Sequence, residues 1–221
     1  MKSSIKKNFE GSGNNTNQTR YAYKDAISVC NMEESVPIGV SNRHVHLSKK
    51  HLEMLFGENY MLKVRKMLRQ PGQFAAEEMV MLRDKEEVPA RIVGPLRENT
   101  QVEILNEDKK KLGTNAPVRL SGDITGTPGI ILKGPKGEVR LSEGCIVAAK
   151  HLHIGGKEKK HFGLEGAKFV DLEIPSGKVF NRIPIRHGEN HLSEFHIDKD
   201  EAKESGISHG QMIRIRKRHE E

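Results

Sequence analysis

His-x-His occurs twice in this 221-residue chain, as Arg43-His44-Val45-His46-Leu47-Ser48 and as Lys150-His151-Leu152-His153-Ile154-Gly155. In both copies a basic residue precedes the first imidazole, and an apolar residue fills the gap and follows the second. Each copy leads through a lysine-containing stretch to Phe-Gly, at Phe56-Gly57 and at Phe162-Gly163. The copies lie about half the chain apart, which points to a duplicated unit whose halves each bring two imidazoles to one shared site. The spacing matters because residues i and i+2 of a strand face the same way. His44 and His46 can then hold one metal ion while Val45 turns into the core. Imidazole suits zinc and other late first-row metals.

Other residues could complete such a site. His196, in Glu194-Phe195-His196-Ile197-Asp198, is a candidate third imidazole for the second pair. An isolated histidine on an apolar strand is ordinarily a hydrogen-bonding residue, so this reading depends on the pair needing a further ligand. Glu103, in Thr100-Gln101-Val102-Glu103-Ile104, can offer a carboxylate to the first pair, with Gln101 on the same face. The competing reading of Gln101 and Glu103 is a solvent-facing pair on an amphipathic strand. Arg97 and Arg186 are candidate anion binders, since guanidinium matches phosphate oxygens with a planar fork; the competing reading is a surface ion pair. Gln70-Pro71-Gly72-Gln73-Phe74-Ala75-Ala76-Glu77 implies a tight turn able to present amides to a ligand. Ser121-Gly122-Asp123-Ile124-Thr125-Gly126-Thr127-Pro128-Gly129 is rich in hydroxyls and backbone N–H groups, although its composition favours a plain connecting loop. No Walker loop, dinucleotide fingerprint or Gly-x-Ser-x-Gly elbow is present.

The elements that must position these residues are short. A strand at Val36–Val40 leads into the first His-x-His; Ser48 is the expected N-cap of a helix over Lys49–Phe56, closed by Gly57. Brief apolar runs then alternate with glycine and proline: Glu78–Leu82, Val88–Val93, Thr100–Leu105, Gly129–Leu132, Glu138–Leu141 and Gly144–Ala149. After the second His-x-His come a short helix, strands over Lys168–Ile174, Val179–Ile185 and Phe195–Ile197, a helix over Asp198–Glu204 and a last strand over Gln211–Arg216. Strands of this length and spacing predict a mainly β fold with short α-helices, built as two small β-barrel domains related by duplication. The expected divisions are a flexible extension over residues 1–35, a first barrel half over 36–149 and a second over 150–221. The first few residues of one half can complete the barrel of the other. A short helix is expected at Tyr23–Met32.

Composition narrows the class. Aromatic residues are 5% of the chain and tryptophan is absent, which argues against stacking on single-stranded nucleic acid. The net charge of +7 comes partly from runs at Lys109–Lys111, Lys157–Lys160 and Arg214–His219, scattered as on a solvated surface. Attraction of a phosphate-bearing substrate is the functional alternative. Two cysteines, Cys30 and Cys145, form no disulfide framework, and no apolar run is long enough to span a membrane. A reducing, cytosolic setting without a secretory signal is the simplest expectation.

Four segments together resemble one family: Val40–Ser48, Gln70–Glu77, Ser121–Gly129 and Ala148–His153. They are similar, in order and in register, to the phosphate propanoyltransferases of the PduL type, also called phosphotransacylases. The resemblance runs from about Val36 to Ile215. It implies reversible acyl transfer between coenzyme A and inorganic phosphate by a protein with two β-barrel domains and a dinuclear zinc site. It implies that His44, His46 and Glu103 bind one zinc and His151, His153 and His196 the other, with a bridging Glu103 left open. It points to Arg97 as the catalytic phosphate ligand, and to Gln70, Gln73, Gln101, Ser121 and Arg186 as substrate-binding residues. The acyl-CoA substrate would carry a propanoyl or acetyl group. Homo-oligomerisation and association with a bacterial microcompartment shell stay open, since Met1–Met32 lacks the apolar stripe of a targeting helix. Neither a membrane nor a nucleic-acid partner is expected. One departure is local: the family's usual Ser-Pro-Glu/Asp helix start after the second histidine pair is Gly155-Gly156-Lys157 here, which weakens capping. A zinc hydrolase acting on a thioester or phosphoester, and a non-enzymatic metal-stabilised scaffold, are the rival expectations.

Overall fold

The computed structural model describes residues 34–219. The expected helix at Tyr23–Met32 and most of the expected N-terminal extension lie outside the described residues. The described chain is mainly β, with a closed barrel and a curled open sheet. The barrel comprises β1 (Ser35–Ser41), β11 (His151–Gly155), β12 (Phe169–Glu173), β13 (Val179–Gly188), β14 (Glu194–Asp198) and β15 (Met212–His219). Its order is β1-β14-β11-β13-β12-β15. The curled sheet follows the order β7 (Val118–Arg119), β10 (Cys145–Ala148), β6 (Gln101–Ile104), β2 (His44–His46), β5 (Glu87–Gly94), β4 (Phe74–Arg83), β8 (Ile131–Lys133) and β9 (Glu138–Arg140). A short ninth strand, β3 (Val64–Met67), pairs with β4.

Within the expected division into residues 36–149 and 150–221, β1 belongs by sequence to the first half and by pairing to the barrel of the second, the exchange allowed for above. β1 pairs parallel with β14 and antiparallel with β15, closing the barrel of the C-terminal half. The cause is packing: Val36 and Ile38 are fully buried and join the core formed by Leu152, Phe195, Ile197 and Ile213. Every strand of the curled sheet comes from the stretch between His44 and Ala148. Its separate core includes Val45, Ile92, Val102 and Cys145.

The two His-x-His strands sit in matching frames. β2 runs parallel to β5 and antiparallel to β6, while β11 runs parallel to β13 and antiparallel to β14. Period-2 alternation sends Val45 and Leu152 into the two cores and leaves the imidazoles on the opposite face. Each strand is followed by a helix: α1 (Lys49–Phe56) after β2 and, numbered in chain order, α3 (Gly156–His161) after β11. Ser48 caps α1, its Oγ accepting from His51 N at 3.3 Å. Gly155 occupies the same place before α3 and has no side chain to offer, consistent with a helix of only six residues. α2 (Asp108–Leu112) and α4 (Lys199–Ser205) complete the helices described.

Candidate metal and anion site

Strand register places the candidate ligands. His44 stands opposite Glu103 and His46 opposite Gln101 across β2–β6. His151 stands opposite His196 and His153 opposite Glu194 across β11–β14. The outcome is two groups, His44/His46/Glu103 and His151/His153/His196, each with donor atoms within 4.8 Å of one another. In the first, Glu103 Oε2 lies 3.3 Å from His44 Nε2, and Oε1 lies 3.8 Å from His46 Nε2. In the second, the Nε2 atoms of His151 and His153 are 3.0 Å apart. Two ligands of one tetrahedral zinc ion are separated by about 3.3 Å.

The tautomers suit metal binding. The Nδ1 atoms of His44, His46 and His151 face the carbonyls of Asn42, Val93 and Ala149 at 2.8, 3.0 and 2.8 Å. A carbonyl only accepts, so each Nδ1 carries a proton, and Nε2 is the ring atom each histidine has available for a metal ion. Burial, with the charge of His44, pushes the His46 pKa down to about 3. Burial and His196 push His151 down to about 4, and burial with His196 and His151 pushes His153 down to about 2. These rings are therefore unprotonated at neutral pH, the form in which imidazole ligates. Burial opposes ionisation of Glu103, but His44, His46, a hydrogen bond from Ser121 and Arg97 outweigh it and hold the carboxyl down to about 2. The donor set thus fits a divalent transition metal in each group, and the nitrogen-rich mixture suits zinc.

Both groups line one cleft of about 980 Å³. Its cationic lining is Arg43, Lys66, Arg69, Arg91, Arg97 and Arg186. Arg43 is held by a bidentate pair with the fully buried Asp108, both contacts 2.7 Å. Arg97 donates from Nη1 to Ser121 Oγ at 3.1 Å and from Nη2 to His46 Nε2 at 2.8 Å. Burial lowers the pKa of Arg97 and of Arg186, without approaching neutrality in either case on chemical grounds.

The other expected residues separate into distinct roles. Gln101 is buried, not solvent-facing; its Nε2 donates to Glu103 Oε1 at 2.6 Å and to Ser121 Oγ at 2.9 Å, and its Oε1 accepts from Gly122 N at 2.8 Å. The Ser121–Gly129 segment is therefore more than a connecting loop, because its first residues brace Arg97 and Gln101. Gln73 lines the cleft after the expected tight turn, where Gly72 has φ 75°. Gln70 also lines it, but its amide is committed to Leu192 and Glu194. Two residues absent from the sequence reading belong here. His191 Nδ1 lies 3.2 Å from His153 Nδ1. Glu194 Oε2 accepts from His196 Nε2 at 2.7 Å. Burial opposes ionisation of Glu194, yet the hydrogen bond and charge of His196, with Gln70, hold its pKa below the ordinary value. The alternation Glu194-x-His196 on one strand face was the available signal.

A two-part β fold brings paired imidazoles, a buried carboxylate and guanidinium groups to the lining of one cleft, with two donor sets able to hold a metal ion. The family model for phosphate propanoyltransferase matches residues 37–208, and the chain belongs to that enzyme family. The chain is 39% identical over 205 residues to a phosphate propanoyltransferase of Thermotoga maritima, covering 90% of this chain and 98% of the relative. It is 42% identical over 186 residues to that of Shewanella putrefaciens, covering 82% and 88%. It is 40% identical over 179 residues to that of Salmonella typhimurium, covering 79% and 85%. Among the described residues no helix is long and apolar enough to cross a membrane.

Proposed function

We propose that the protein interconverts acyl-CoA plus inorganic phosphate and acyl phosphate plus coenzyme A, with propanoyl or acetyl as the acyl group. The observation that carries this reading is the meeting of two metal-ligand groups with Arg97 and Arg186 in one cleft. His44, His46 and Glu103 would hold one zinc ion, and His151, His153 and His196 a second. Bound there, zinc supplies Lewis acidity toward a carbonyl oxygen and affinity for a departing thiolate.

The chain's own residues do the positioning. Arg97, braced by Ser121, presents a guanidinium to the phosphate, and Arg186 adds positive charge beside the second imidazole group. Lys66, Arg69 and Arg91 give the cleft a field that attracts the polyanionic coenzyme, Arg43 being paired with Asp108. A phosphate oxygen held by Arg97 attacks the thioester carbon; the C–O bond forms, the C–S bond breaks, and the electron pair leaves on the coenzyme A sulfur. Holding both reactants in one cleft supplies much of the acceleration. No covalent acyl-enzyme enters this scheme. Cys145 is fully buried, and burial pushes its thiol up to about 12, so it offers no thiolate.

The test is product identity. With acetyl-CoA or propanoyl-CoA, acyl phosphate should form only when inorganic phosphate is added, and treatment with a strong chelator should abolish turnover until zinc is restored. Free acid released at the same rate without phosphate would replace the transferase with a hydrolase. Full activity in metal-free protein would remove zinc from the scheme.

A further inference from the structure

Glu194 carries a carboxylate that the two three-residue groups leave out. It is 5% exposed, stands opposite His153 across β11–β14, and shares a face of β14 with His196. The fold makes room for it on one side by omitting a side chain. Gly39, the β1 residue paired with His196, has Glu194 Oε1 at 2.8 Å and His196 Cδ2 at 3.0 Å from where a Cβ would stand. On another side Gln70, from the loop between β3 and β4, grips it. Gln70 Nε2 donates to Glu194 Oε2 at 3.2 Å and to Leu192 O at 2.9 Å, while its Oε1 accepts from Leu192 N at 3.2 Å. The buried carboxylate is held by Gln70 on one side and His196 on another.

The duplicated register gives Glu194 a counterpart in the other half. Glu103 opposite His44 corresponds to His196 opposite His151, and Gln101 opposite His46 corresponds to Glu194 opposite His153. Each half therefore presents two imidazoles and two facing-strand residues, and exactly one of the latter is a carboxylate, at exchanged positions. The second three-residue group holds no carboxylate, and Glu194 is the one that its facing strand supplies. His196 Nε2 and Glu194 Oε2 lie 2.7 Å apart. That separation is shorter than the about 3.3 Å between two ligands of one zinc ion; Glu194 stands outside the three residues whose donors lie within 4.8 Å of one another, so ligation would draw its oxygen toward His151 and His153.

We propose that Glu194 is a fourth protein ligand of the second metal group, adding a carboxylate oxygen to His151, His153 and His196. The proposal rests on the two-ion reading above, and the experiment separates the two. Full-length protein is stripped, reloaded with cobalt(II) as a visible probe, and measured for stoichiometry, for affinity by chelator competition and for its absorption spectrum. Wild type should hold two ions. Glu194→Gln should weaken one of them by more than about 100-fold, beyond the range for loss of an outer-shell partner, and leave the other within about threefold. At saturating cobalt its spectrum should change as an anionic oxygen leaves the coordination sphere. Gly39→Ala, which keeps every ligand but fills the carboxylate's space, should weaken the same ion and keeps the test open if Glu194→Gln does not fold. Two ions in wild type with unchanged affinity in the folded variant, or weakened affinity with an unchanged saturated spectrum, overturns the assignment of Glu194 alone. Fewer than two ions in wild type overturns the two-ion reading, and the proposal with it.

Discussion

Removing the Arg97 guanidinium should cripple the use of phosphate and leave both metal groups loaded. Arg97 Nη1 is tied to Ser121 and Nη2 donates to His46 Nε2. A metal ion held at His46 would use the lone pair that Nη2 contacts, which would leave Nη2 available to a phosphate. Arg97 then has donors for a phosphate in a site that is mostly desolvated. A hydrogen bond to a charged group contributes about 1.5–3 kcal/mol. Two such bonds, discounted for the part of the side chain that water still reaches, give about 2–4 kcal/mol. At about 1.4 kcal/mol per decade, Arg97→Ala should lower kcat/KM for phosphate roughly 30- to 1,000-fold. Arg97→Lys keeps the charge and loses the fork, and should sit between the two. The assay is initial-rate formation of acyl phosphate over a phosphate titration, with acyl-CoA saturation and zinc content measured on the same preparations. The KM for acyl-CoA should change less than about threefold, and zinc affinity at the first group should not fall, because the substitution removes a competitor for His46. Unchanged phosphate kinetics would refute the assignment. Loss of zinc from Arg97→Ala would show that the guanidinium serves the metal group instead.

Two further outcomes follow from the same geometry. Leu152→Ala removes a fully buried side chain from between His151 and His153; it should destabilise the fold by about 2–5 kcal/mol in chemical denaturation and loosen the second metal group with it. Cys145 should resist thiol reagents in the native protein at pH 8 and react once the chain is unfolded. Its folded pKa of about 12 is above that of a free thiol, so its contribution to stability is complete below about pH 8.5 and is lost as pH rises from there toward 12; rapid native labelling at pH 8 would contradict the burial described.

Much of the site was legible because its signal is local. Two imidazoles separated by one apolar residue announce a strand with one face in the core, and the following Ser48 marks a helix start. That the first residues of one half could complete the other barrel was legible, but the partner strands of β1 were not. Its partners in β14 and β15 lie more than a hundred residues away, and an apolar five-residue run carries no mark of which core it fills. β3 and β7 escaped for a different reason: both are short and exposed, so no alternation of apolar and polar residues betrays them. The burial of Gln101 and Glu103 was equally hidden, since period-2 alternation defines a shared face but not what covers it. The charge pattern misdirects the eye. The lysine runs are conspicuous, whereas the cleft's cations enter singly from separate elements, as Arg43, Lys66, Arg91 and Arg186.

The repeat is closer to symmetric in backbone than in chemistry. His44 and His151 make the same Nδ1 bond, to the carbonyl two residues before each. The second imidazoles diverge. His46 Nδ1 donates to Val93 O on β5, whereas His153, paired with Arg186 on β13, meets His191. His191 Nδ1 in turn lies 3.2 Å from Arg186 O, so it occupies the place that a direct imidazole–carbonyl bond fills in the other half. Arg186 thus reaches the cleft from the strand beside the second imidazole pair, while the first half sends Arg97 from the loop after β5. Identical halves would present identical pockets. A scaffold that keeps the strand register and exchanges the residues on it offers two unlike surroundings within one cleft, which is what a reaction joining a small tetrahedral anion to a large thioester requires.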